Sequence, residues 1–170
     1  MAGQGMPGGD TFQRSIGALY NVAFTIKMAS KFAGRDYRVS KLEGLWWADS
    51  AHFFMTEPKD KWSWRLLIRT PGFIGGPELE AARNQLAGKG KDPLFRVVEL
   101  TTLNENQCVQ MLHTGPYDTE PETVARMEAF ASAQGLRVEG LHHEIYLCDP
   151  RRVAPEKLRT ILRIPVAPRA

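Results

Sequence analysis

Trp62-Ser63-Trp64-Arg65-Leu66-Leu67-Ile68-Arg69 sets Trp62, Trp64, Leu66 and Ile68 in alternation with Ser63, Arg65, Leu67 and Arg69. A period of two sends successive side chains to opposite faces, so residues 61–70 read as a strand of a sheet with two unlike faces. Upstream, residues 41–49 read as its neighbour, with Glu57-Pro58-Lys59-Asp60 between them. Further upstream, Phe12, Ile16, Tyr20, Ala23 and Phe24 recur at helical spacing. Asp10 with Gln13 predicts the start of that helix and Gly34 its stop. Downstream, residues 71–77 are a Gly/Pro loop, and Pro77 opens a short helix carrying Leu79, Ala82 and Leu86. Residues 95–103 and 107–114 read as strands joined at Asn104-Glu105-Asn106. Thr119 with Glu122 predicts a capping box. The helix it opens buries Val124, Met127 and Ala131 and ends at Gly135. Residues 136–147 and 157–166 are the last strands.

Helices segregated from antiparallel strands give an α+β fold. The outer blocks, about 10–75 and 94–166, look like one helix–strand–strand unit used twice within a single domain, 1–170, with a linking helix at about 77–88. Placed side by side, they predict helices on one sheet face and a groove on the other. A chain of 170 residues can bury a core of that size.

The net charge of +3 and pI near 9.0 are mildly basic, with Lys and Arg scattered. That is far from the clustered field of a nucleic-acid binder. No apolar run approaches the roughly 20 residues that span a bilayer. The Gly-rich N-terminus lacks the apolar core of a signal peptide, so the expected location is the cytoplasm. Cys108 and Cys148 lie far apart and read as two buried, reduced thiols. No nucleophile elbow, P-loop or dinucleotide fingerprint appears, and neither a metal nor a cofactor is expected.

Three stretches carry a resemblance. Lys41-Leu42-Glu43-Gly44-Leu45-Trp46-Trp47-Ala48-Asp49, His113-Thr114-Gly115-Pro116-Tyr117 and His142-His143-Glu144-Ile145-Tyr146-Leu147-Cys148-Asp149-Pro150-Arg151 together resemble the GyrI-like proteins. They look closest to the stand-alone cyclopropanoid cyclopropyl hydrolases. The resemblance implies a tandem fold of two βαββ units with a small-molecule groove between the halves. It also implies one of three roles: drug- or effector-binding module, inhibitor of a partner protein, or hydrolase of cyclopropane-bearing DNA alkylators acting through an aromatic cage. One departure stands out. Gly3-Gln4-Gly5 looks like the turn that closes the family's opening strand, with only Met1-Ala2 before it, so that strand is expected to be missing. A second copy covering the exposed edge, as a homodimer, is the corresponding expectation.

Alternation through residues 141–147 puts His142, Glu144 and Tyr146 on one face and Leu141, His143, Ile145 and Leu147 on the other. The second, mostly apolar set suits packing under helices, and the first suits a groove floor. Spacing alone leaves Glu144 open between a surface carboxylate and a ligand-facing one, and the resemblance favours the latter. Trp46 and Trp47 must point to opposite faces, so one can be core and the other line the groove. Trp62 and Trp64 share a face, which spacing does not identify, and Trp64 is a candidate groove residue. Tyr117 sits at a strand end where grooves open, with loop anchoring as the alternative. His113 suits a hydrogen-bonded strand position more than a ligand contact. His142 and His143 point opposite ways, which disfavours a metal pair.

Two functions follow. In the first, Glu144 is general base for a water that opens a cyclopropane, and Tyr146, Tyr117 or His142 donates to the developing oxyanion. In the second, the same walls sequester a planar or cationic lipophilic ligand without turnover, with Glu144 as counter-charge.

Overall fold

The computed structural model describes residues 1–49 and 57–169. Seven strands and three helices are formed among them: β1 (Ala2–Gln4), α1 (Asp10–Phe32), β2 (Leu42–Trp47), β3 (Ser63–Ile68), α2 (Gly76–Gly88), β4 (Cys108–Thr114), α3 (Glu120–Ala133), β5 (Leu136–Val138), β6 (His142–Tyr146) and β7 (Arg159–Pro168). All ladders are antiparallel and the order is β1-β3-β2-β6-β7-β4, with β5 on the end of β7. The first unit, β1-α1-β2-β3, and the second, β4-α3-β6-β7, therefore meet at β2 and β6, where Gly44 opposes Glu144 and Trp46 opposes His142.

Each unit closes its own core. Phe12, Leu19, Val22 and Ile26 of α1 bury against Trp46, Trp64 and Leu66. Met127 and Ala131 of α3 bury against Leu162, Ile164 and Val166. Both helices lie on the sheet face that carries Trp46, Trp64 and Leu162. Glu144 pairs across strands with Gly44 and Leu162, and directly opposed residues share a face. His142, Glu144 and Tyr146 therefore point to the helix side, and His143 and Ile145 point away. This reverses the expected arrangement. Because α1 covers β3 while α3 covers β4 and β7, the central strands β2 and β6 are left between the helices. The polar row sits in that gap, on the helix face.

Several boundaries move for local reasons. Residues 95–103 form no strand: Pro93–Val97 is a 3-10 turn, capped where Asp92 accepts from the Leu94 N–H. Residues 136–147 break into β5 and β6 around Gly140, whose φ of +120° disfavours side chains. Gly9 is the residue before α1, and Asp10 instead lies in the first turn, where a carboxylate favours the helix dipole. Thr119 forms no capping box, because its hydroxyl donates to the Pro116 carbonyl. Where only a turn was expected, residues 2–4 make a short edge strand paired to Ser63, Trp64 and Arg65. Gly3 is needed there, since a Cβ would stand 2.4 Å from the Trp64 ring. Cys108 and Cys148 are free and half-buried, more exposed than expected. No described helix is long and apolar enough to cross a membrane.

On the face away from the helices, His143 is fully buried between two carboxylates. Its Nε2 is 3.0 Å from Glu43 and its Nδ1 3.0 Å from Glu105, while Arg163 donates to Glu105 at 2.9 Å. This hydrogen-bonded cluster clamps β6 to β2 and to the segment before β4.

Candidate functional site

Glu144 is 5% exposed at the junction of the two units, on the floor between α1 and α3. Gly44 lies opposite it in β2. His142 Nε2 stands 3.4 Å from Glu144 Oε1. The Tyr146 hydroxyl lies beside Glu144, and its oxygen accepts from Trp46 Nε1 at 2.9 Å. Because the indole occupies the Tyr146 oxygen as donor, the phenol proton is free to point at Glu144. Burial, then the Glu144 charge, raises the Tyr146 pKa, so the phenol keeps that proton.

The second carboxyl is Glu120, the first residue of α3, 2% exposed. It meets the Thr160 hydroxyl and Glu144. Burial first, then the Glu144 charge, pushes its pKa up to about 9. Two carboxyls brought together out of water cannot both ionise cheaply, so Glu120 keeps its proton beside Glu144. Glu120 Oε1 is buried without a hydrogen-bond partner among the described residues. Such an atom in a native core calls for an explanation, and a site for a polar guest is one.

The roof is aromatic. The Tyr117 ring meets Tyr146 edge-on at 6.1 Å. Burial, then the charges of Glu120 and Glu144, raises the Tyr117 hydroxyl to about 12, so it too is a donor. Lys59 Nζ binds Asp118 at 2.8 Å, tying the segment before β3 to the turn that carries Tyr117.

Of the residues expected from sequence, the fold gathers Glu144, Tyr146, Tyr117, His142 and Trp46. Three others fall outside. Trp47 projects from the opposite face, as alternation along β2 requires. Trp64, 1% exposed, is core, packed edge-on to Phe12 and beneath Gly3. His113 is structural, with Nδ1 2.9 Å from the Thr123 hydroxyl and Nε2 3.2 Å from the Pro116 carbonyl. Glu120 was not anticipated. The one signal available was an acidic residue before a proline at a helix start, which ordinarily means a favourable helix dipole. A separate cavity of about 470 Å³ opens on the opposite face beside Leu45, Leu103 and Leu141. Glu105, in its wall, is already held by His143 and Arg163.

The model of the GyrI-like small molecule binding domain matches residues 3–167. The chain belongs to the GyrI-like family. Two solved structures from Listeria innocua place it further. An uncharacterized conserved protein is 39% identical with a TM-score of 0.90, over 98% of this GyrI-like chain and 85% of that one. A protein described as a hydrolase is 40% identical with a TM-score of 0.88, over 98% and 84%. No curated protein matches.

Two predictions arise from this geometry. At Gly44 a Cβ would lie 2.9 Å from Trp46 Nε1 and 3.0 Å from the Tyr146 hydroxyl oxygen. Gly44→Ala is therefore expected to part that hydrogen bond, costing about 1–3 kcal/mol. The loss reads out as a lower urea midpoint with altered tryptophan fluorescence, and an unchanged spectrum would contradict it. Glu120 sets a pH dependence. Its folded-state pKa, about 9, lies above the ordinary 4.5, so the folded protein binds an extra proton across that window. Stability is fully present below the lower value and falls as pH rises through the upper one, by at most about 1.4 kcal/mol per pH unit. Glu120→Gln removes that slope, and urea midpoints between about pH 5 and 9 become flatter than those of the parent.

Proposed function

We propose that this GyrI-like domain binds flat, apolar xenobiotics between its helices and hydrolyses cyclopropanoid DNA-alkylating compounds. The observation that carries the reading is the pair of buried carboxyls, Glu144 and Glu120, beside Tyr117 and Tyr146, with burial and the neighbouring charge keeping Glu120 protonated. A site with one carboxylate and one carboxylic acid can take and give a proton in the same step. The 40% identical Listeria protein described as a hydrolase supports catalysis of this general kind.

In the proposed reaction, Glu144 accepts a proton from water as the water oxygen bonds to the cyclopropane methylene. The breaking carbon–carbon bond sends its electrons into the dienone, which becomes a phenolate. Glu120 protonates that oxygen while the tyrosine hydroxyls donate hydrogen bonds to it, and the product is the phenol with one added water. Transfer of a proton from Glu144 back to Glu120 then resets the pair. Aromatisation supplies the thermodynamic drive. The protein contributes positioning, a base and donors to the developing charge. The Tyr117 ring, 37% exposed, offers a face to a planar guest, such a ring contact adding about 0.5–1.5 kcal/mol beyond burial.

The second reading, sequestration of a planar or cationic ligand, draws on the single negative charge that the pair retains. One incubation separates the two. Excess cyclopropanoid should give ring-opened product well beyond one equivalent of protein. Tight binding with no product beyond one equivalent would sink the hydrolase reading and favour sequestration.

A further inference from the structure

We propose that the outer edge of β4 is a self-association surface, on which a second copy of this chain pairs its own β4 antiparallel about a two-fold axis at Met111.

β4 ends the sheet. Its ladder to β7 is bounded by two bonds: the Val166 N–H donates to Gln107 at 2.9 Å, and the Gly115 N–H to Leu158 at 3.0 Å. Bonded residues alternate along an antiparallel strand. Gln107, Val109, Met111, His113 and Gly115 therefore bond with β7. Cys108, Gln110, Leu112 and Thr114 turn their N–H and C=O groups to the open side. Of these four, Gln110, Leu112 and Thr114 are exposed.

Natural sheets guard such edges with short strands, charges, prolines or bulges. The edge strand of the first unit, β1, is three residues long and so is guarded by brevity. Its counterpart β4 runs seven residues, Cys-Val-Gln-Met-Leu-His-Thr, with no Lys, Arg, Asp, Glu or Pro. The apolar flanks are open as well. Leu112 is 52% exposed on the face away from the helices. On the helix face, Thr123 of α3 reaches the His113 ring. Phe130, 55% exposed, lies two turns further along the same stripe of α3.

The occupant that fits is the same strand. With the axis at Met111, Cys108 pairs with the partner's Thr114 and Gln110 with the partner's Leu112. Each of the four resulting pairs exchanges two bonds, so every outward main-chain group on both copies is used. The strand brings no like charges together, because it has none, and His113 is held by Thr123 and Pro116. Met111 meets the partner's Met111 at a non-hydrogen-bonded site, about 4.5 Å between Cα atoms. All helices stay on one side of the continuous sheet, and the glutamate pair at the β2–β6 junction stays clear of the new interface.

Light scattering of the full chain at micromolar concentration should give twice the monomer mass. Leu112→Pro removes an outward N–H and spares the β7 ladder. It should give a monomer with unchanged far-ultraviolet circular dichroism, and Leu112→Lys, which keeps the backbone, should do the same. Met111→Cys in a Cys108→Ser, Cys148→Ser background should cross-link on mild oxidation, since that strand position matches disulfide geometry. A monomeric wild-type mass, a dimer that survives both Leu112 variants, or failure of Met111→Cys to cross-link overturns the proposal.

Discussion

Glu144→Gln is expected to lower the rate of cyclopropanoid ring opening by about 10²–10⁴-fold, the usual contribution of a positioned general base. Glutamine keeps the size and one acceptor oxygen, so the Tyr146 hydroxyl retains a partner and the floor between the helices keeps its shape. What disappears is the ability to take a proton from water. Ligand affinity should change much less for a neutral planar compound than for a cationic one, because only the latter loses a counter-charge. Steady-state rates of product formation, alongside Kd for one neutral and one cationic ligand, separate the effects. A variant that turns over at the parent rate would remove Glu144 from the chemistry.

The largest stability loss is expected on the opposite face, at His143→Leu. In the parent, each imidazole nitrogen is 3.0 Å from a carboxylate oxygen, and the ring is 0% exposed. Leucine fills the volume but leaves Glu43 and Glu105 without the ring nitrogens between them, and Arg163 reaches only Glu105. Removing one member of a buried ion cluster typically costs about 3–5 kcal/mol. Urea unfolding at neutral pH measures it, and a loss under about 1 kcal/mol would show that solvent already screens these carboxylates. The double variant with Glu43→Gln should recover part of the loss, which a simple packing defect would not.

The strong periodicities were legible. Alternation in Trp62–Ile68 and helical spacing from Phe12 to Phe24 match β3 and α1. Gly34 and Gly135, both with positive φ, end α1 and α3 as expected of residues without a Cβ. Alternation also separated His142, Glu144 and Tyr146 from His143 and Ile145. It failed at residues 95–103, where apolar side chains at plausible spacing find no neighbouring strand, and Leu100 and Leu103 remain exposed. It also gave no means of finding Glu120, whose place beside Glu144 depends on how α3 docks on β7.

What the residues determined alone is which side chains travel together, because a period of two or 3.6 is a property of the local backbone. Which way each set faces is decided only in three dimensions. Polar residues under a helical layer look improbable along the chain. They become natural once two helices, each packed on its own half, flank the central strands. Two carboxyls separated by 24 positions meet there with water excluded from both, which keeps Glu120 protonated, and burial of that kind has no signature in sequence.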